Sequence, residues 1–209
     1  WSKGNTATDG SGVLVFLSNG YYYQISDANT AQVTAGGLDG FEIGTYTWNP
    51  ATGAFSVTTL RDTNGNLGLS GLNGVTGITA GVSGGSLTIN VPSQSPDIYT
   101  SVVGSSPIVG SWVFGAPSVV DHRILLTFLP NGYYFFLGDN EQNGPTDTDL
   151  DGMEHGTYTW NSVTGATAIT GVIADTNGSS GFYDTSPGAN NSNGIITISG
   201  DQITLHYTN

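Results

Sequence analysis

The chain has 209 residues, of which only 9% are charged, and sixteen Asp and Glu against three Lys and Arg give a formal net charge of -13. Three scattered cations, Lys3, Arg61 and Arg123, cannot form a phosphate-binding groove, which excludes nucleic acid and anionic membrane surfaces as partners. With no Cys there is neither disulfide nor thiolate chemistry, and no apolar stretch approaches the length that spans a bilayer.

In chain order, Val13–Ser18, Asn19-Gly20 and Tyr21–Ile25 read as a β-hairpin. Asn-Gly accepts positive φ at both positions of a two-residue type I′ turn, and seven such dipeptides occur. Leu38-Asp39-Gly40-Phe41-Glu42 follows as an acidic loop, then a strand Gly44–Asn49 in which Tyr46 and Trp48 alternate with Thr. Pro50-Ala51-Thr52-Gly53 turns the chain into Ala54–Leu60, Asp62-Thr63-Asn64-Gly65 is an Asx-turn sequence, and Ser86–Val91 closes the series.

The same text then begins again. Phe128–Tyr134 repeats Phe16–Tyr22, Leu150–Glu154 repeats Leu38–Glu42, and Gly156–Asn161 repeats Gly44–Asn49, all at an offset of 112 residues. Asp175–Gly178 repeats Asp62–Gly65 one residue later. A period this long is a whole domain rather than a solenoid unit. The second copy offers an opening strand around Trp112, the hairpin Ile124–Pro130 and Tyr133–Leu137, then Gly156–Asn161, Ala166–Ala174, Ile195–Ser199 and Gln202–Tyr207. No segment has helical periodicity over three turns. The expected fold is all-β: two tandem homologous antiparallel β-barrel or sandwich-like domains of about 100 residues each, 1–107 and 108–209.

Gly110-Ser111-Trp112, an Asn-Gly hairpin of the form Phe-x-x-Asn-Gly-x-Tyr and a Gly-x-Tyr-x-Trp strand succeed one another in copy two. That order resembles the bacterial lipocalin-like (calycin-type) β-barrel domains, and Trp1 stands where copy one should carry the opening Trp. The resemblance implies a barrel, with a mouth able to hold a small ligand, and carries no catalytic residues onto this chain.

Three sets of side chains are candidates for function. Val13, Val15 and Leu17, with Tyr133 and Phe135, belong to strands that are apolar on both faces, where a half-wet sheet would alternate. Their outer face calls for a cover: the other copy, a long loop, or a neighbouring subunit. Asp147, Asp149 and Asp151 followed by Gly152 resemble the first half of a calcium loop, with Glu154, Asp139 or Glu141 to supply further oxygens. The reading as a solvated acidic loop stands beside it. Tyr46, Trp48, Tyr158 and Trp160 could line a pocket or stack on a ligand, although period-two spacing places them first in a core.

Catalytic patterns are weak: there is no Gly-x-Ser-x-Gly elbow and no His-Glu-x-x-His, and nothing fixes the separation of an acid pair such as Asp151 and Glu154. The sequence is therefore expected to encode a non-enzymatic protein, secreted by a bacterium and trimmed ahead of Trp1. Its expected role is structural or adhesive, self-associating or binding another surface component, with calcium as the candidate cofactor. The alternative is a carrier of a small apolar ligand.

Overall fold

Period-two alternation becomes strand almost throughout, and the computed structural model arranges the strands in two units, Trp1–Val102 and Val103–Asn209. The boundary lies five residues before the one drawn from the sequence. The structure describes all residues except 5–9, 29–38, 66, 116–122, 140–150, 179–180, 183–193 and 208–209.

The first unit contains β1 (Ser2–Lys3), β2 (Ser11–Phe16), β3 (Tyr21–Asp27), β4 (Gly40–Trp48), β5 (Phe55–Asp62), β6 (Thr79–Ser83), β7 (Ser86–Asn90) and β8 (Asp97–Thr100). They form one antiparallel sheet in the order β5-β4-β3-β2-β1-β8-β7-β6. Its two ends meet: Ala54 bridges Thr79, Gly53 O accepts from Ala80 N at 2.8 Å, and Ile78 O accepts from Phe55 N at 3.1 Å. The result is a nearly closed barrel, which leaves little free edge. Its interior is filled by side chains, among them Leu14, Tyr22, Phe55, Val57, Ile89 and Tyr99.

The second unit contains β9 (Gly110–Phe114), β10 (Arg123–Phe128), β11 (Tyr133–Asp139), β12 (Gly152–Trp160), β13 (Ala166–Asp175), β14 (Gly194–Ser199) and β15 (Gln202–Tyr207). It is a meander in the order β15-β14-β13-β12-β11-β10-β9, an open half-barrel in which no described strand occupies the place of β8. Leu126, Phe128, Tyr134, Phe136 and Ile196 are buried at its centre.

The hairpin turns differ from expectation. Gly20 and Gly132 have φ of 87° and 84°, but neither Asn19 nor Asn131 has positive φ, so the turns are not type I′. Leu17 O accepts from Gly20 N, while Leu17 N donates to Tyr21 O. This is a three-residue connection in which a type I turn ends in a left-handed Gly forming a bulge, and Leu129–Tyr133 repeats it.

The two-sided apolar strands do bury both faces. Alternation sends Leu14, Tyr22 and Glu42 inward, yet the outward Val13, Tyr23, Ile25, Phe41 and Ile43 are equally withdrawn from solvent. In the second unit Leu125, Phe135, Leu137 and Met153 behave alike, His155 stacks flat on Phe135 at 4.0 Å, and Arg123 pairs with Asp139 across β10 and β11.

Candidate functional site

The most chemically distinctive group kept in both copies is a carboxylate sealed inside each sheet. β4 begins at Gly40, earlier than the sequence suggested, so Glu42 sits on a strand rather than in a loop. Alternation turns it inward, opposite Gln24 on β3 and Asp62 on β5, and its exposure is 0%. Its Oε2 accepts from Ser70 N at 2.8 Å, Leu69 N at 2.9 Å and Tyr22 OH at 3.4 Å. Gln24 Oε1 also accepts from Leu69 N, at 3.1 Å. The glutamate therefore grips the backbone of the segment that runs into a 3₁₀ turn, Ser70–Leu72, whose last residue Leu72 and preceding Leu69 enter the core.

That segment is shaped by the Asp-Thr-Asn-Gly sequence. Asp62 Oδ1 accepts from Asn64 N at 3.0 Å and Gly65 N at 2.9 Å, the expected Asx turn. Thr63 pairs with the strand edge at Phe41, accepting from Phe41 N at 2.9 Å and donating its own N–H to Phe41 O. A Cβ at Gly40 would collide with Thr63, so this Gly serves close approach and not a turn. Gly68 has φ of 92° and lies so tightly over Glu42 that a Cβ there would strike Oε1 and the Gln24 amide.

The second unit repeats the arrangement. Glu154, also 0% exposed, accepts from Phe182 N at 3.0 Å, Tyr134 OH at 3.1 Å and Asn177 Nδ2 at 3.3 Å. Asp175 Oδ1 accepts from Asn177 N, Thr176 Oγ1 accepts from Met153 N, and Gly181 at φ 96° sits over Glu154 as Gly68 sits over Glu42. Leu-Asp-Gly-x-Glu and Asp-Thr-Asn-Gly-x-x-Gly are thus two halves of one clasp. Sequence reading noticed the acids and the Asx turns that contain Asn64 and Asn177, but missed Gly68 and Gly181. The signal available was the second Gly, three residues after the first in both copies.

Burial first, and the Asp62 charge second, together raise the Glu42 carboxyl to about 7 against the opposing hydrogen bonds from Ser70. Among the described residues Oε1 of Glu42 has no hydrogen-bond partner, consistent with a carboxyl that favours its proton. Burial likewise raises the Tyr22 phenol beyond its ordinary range.

The aromatic candidates are latches. Tyr46 packs against Phe16 at 4.6 Å and donates its hydroxyl to Leu17 O at 2.9 Å, pinning the hairpin turn. Tyr158 does the same with Phe128 and Leu129 O, and burial raises its phenol to about 12. Trp48 Nε1 donates to Ala80 O and Trp160 Nε1 to Ile196 O, both at 2.9 Å, tying β4 to β6 and β12 to β14. Trp48 remains 40% exposed, and Trp160 lines an open groove of about 460 Å³ with Thr159, Asn161, Thr167 and Ile195.

Of the contact candidates, Val13 and Phe135 are buried, and Val15, Leu17 and Tyr133 are half-buried. Asp147 and Asp149, with Glu141, lie outside the described residues. Asp151 is half-buried at the start of β12, and Glu154 faces inward as described. Among the described residues no group of three or more His, Asp and Glu is placed to hold a metal. The chain matches no protein-family model, no curated protein and no solved structure.

Proposed function

We propose that this chain is a non-catalytic structural or adhesive component of a bacterial extracellular or cell-surface assembly, acting through the surfaces of two barrel-like domains. One observation carries the reading: the chemical groups shared by both copies are spent on holding the fold. Glu42 and Glu154 grip backbone amides, Tyr46 and Tyr158 pin hairpins, and Trp48 and Trp160 tie strands together. The low charge and the Gly, Asn, Thr and Ser bias support secretion, and self-association or binding to another surface component is the activity proposed. The same considerations leave calcium as a proposal for the acidic segment ending at Asp151.

The groove beside Trp160 supports a second reading, a module that binds a small ligand. It lies on an open surface, and in the first unit the space inside the barrel is filled by its own side chains.

Negative-stain electron microscopy of the purified chain, with calcium and then with chelator, tests the first reading. Ordered fibres or sheets are expected, and their loss in chelator would place calcium in the assembly. Because Phe135 is buried, a charge there would report on folding; Leu60→Glu and Val163→Glu, at exposed positions, are the variants that should weaken assembly. Isolated particles in every condition would overturn the assembly reading, and a small molecule retained in native mass spectrometry would favour the second.

A further inference from the structure

The two clasps surround their glutamates with different partners. In the second unit both carboxylate oxygens of Glu154 accept hydrogen bonds: Oε1 from Phe182 N and Asn177 Nδ2, Oε2 from Phe182 N and Tyr134 OH. In the first unit the load falls on Oε2 alone, which takes Leu69 N, Ser70 N and Tyr22 OH. Asn64, the counterpart of Asn177, turns its amide to Ser26 Oγ at 3.3 Å. That leaves two buried acceptors, Glu42 Oε1 and Asn64 Oδ1, without a donor among the described residues. Asn177 Oδ1 is likewise without one, so the difference between the copies lies at the carboxyl. The Asn64 side chain nevertheless lies against Glu42. A proton on Oε1 turns one orphan into the donor that the other lacks.

The groups around Glu42 favour the same state. Asp62 stands opposite it on β5, and Tyr22 and Gln24 face it from β3. Tyr99 on β8 reaches Gln24 and feels the Glu42 charge. Arg61 pairs with Ile43 on the other face of the sheet, and among the described residues no cation pairs with Glu42. The segment it holds has few other ties. Leu69 N and Ser70 N reach the sheet through the Glu42 and Gln24 side chains, while Leu72 N and Asn73 N close locally on Leu69 O and Ser70 O.

We infer that Gly68–Leu72 is a proton-gated flap, closed over the first barrel while Glu42 carries a proton and released, with Leu69 and Leu72, when the carboxyl ionises. The second unit has no such gate, because both oxygens of Glu154 already have donors. Burial first, and Asp62 second, raise the Glu42 carboxyl from 4.5 to about 7. The contribution of the proton to closure is therefore complete below about pH 4.5 and is lost as pH rises through about 7. The flap is independent of the assembly reading, since it needs no second molecule.

Hydrogen exchange of the full 209-residue chain between pH 5 and 8, corrected for the intrinsic rate, tests the flap. Protection at Leu69 and Ser70 should fall roughly fiftyfold across that range, level off above pH 7, and be insensitive to low urea. The Phe182 amide in the second unit should keep its protection. Glu42→Gln, which retains an acceptor for both amides and has no charge to gain, should abolish the fall. Asp62→Asn keeps the Asx-turn acceptor and should end the fall at a lower pH. The proposal is overturned if Leu69 and Ser70 share the urea sensitivity of the β3 amides, if Phe182 loses protection in parallel, or if the fall survives in Glu42→Gln.

Discussion

The two clasps do the same task with different companions. In the first unit Glu42 is assisted by Gln24, and the segment it holds brings Leu69 and Leu72 into the core. In the second, Phe136 replaces Gln24, and Phe182 replaces Leu69, packing its ring against Phe128, Tyr134 and Phe136 at 6.3, 5.7 and 5.8 Å. One copy fixes its clasp by an added polar contact and the other by aromatic packing around the same carboxylate. A duplicated domain can thus exchange hydrogen bonding for ring contacts at a position while keeping the backbone grip unchanged.

The largest way to break this equivalence is to remove the carboxylate. Glu42→Ala leaves the Leu69 and Ser70 amides without their acceptor in a buried place, and should cost the first unit about 3–5 kcal/mol. Glu154→Ala should cost less, because Phe182 keeps its three ring contacts. Urea unfolding followed separately in each unit by hydrogen exchange would separate the two losses, and equal losses would sink the distinction.

The pH dependence comes next. The Glu42 carboxyl rises from 4.5 to about 7 on folding, so the folded unit holds a proton that the unfolded chain releases. Its contribution is complete below about pH 4.5 and is lost as pH rises through about 7, a change of about 3 kcal/mol at ~1.4 kcal/mol per unit. Stability of the first unit should therefore fall from pH 5 to 8, and Glu42→Gln should flatten that slope. A slope that survives Glu42→Gln would assign the proton elsewhere.

Gly68→Ala, which puts a Cβ into a left-handed position and onto Glu42, should cost about 2–3 kcal/mol in the same assay. Smallest is Trp48→Phe: it removes the indole bond to Ala80 O while retaining a ring, and should cost about 1 kcal/mol. Faster hydrogen exchange should then appear first at Phe55 and Ala80, where the barrel closes.

Much of the fold was legible because strand alternation is local. Tyr46 and Trp48 declared their strand by spacing alone, and the absence of alternation in Val13–Leu17 announced that its outer face would be covered, as the burial of Val13 bears out. What failed was non-local. Gly40 passed as one residue of an acidic loop because its reason for being Gly, the approach of Thr63, lies 23 residues along the chain. Glu42 looked solvated for the same reason, since the amides that hold it come from Leu69 and Ser70. The Asn-Gly turns were read one residue too short because positive φ at Asn19 is optional once Gly20 can supply it. β6 and β8 escaped notice: Thr79–Ser83 and Asp97–Thr100 are short, with too few residues to show a period, and they form because the barrel must close.

The Asx turn at Asp62 has a consequence for how the molecule ages. Asn-Gly bonds deamidate when the Gly nitrogen swings round to attack the Asn side chain, which needs a mobile backbone and access to water. At Asn64-Gly65 the nitrogen of Gly65 is committed to Asp62 Oδ1 and the Asn64 side chain is fully buried. At Asn73-Gly74 both residues are exposed. Of these two sites, stored protein should therefore gain isoaspartate first at Asn73, and conversion at Asn64 should follow only as fast as the clasp opens, making that slow chemical mark a clock for the opening of the first unit.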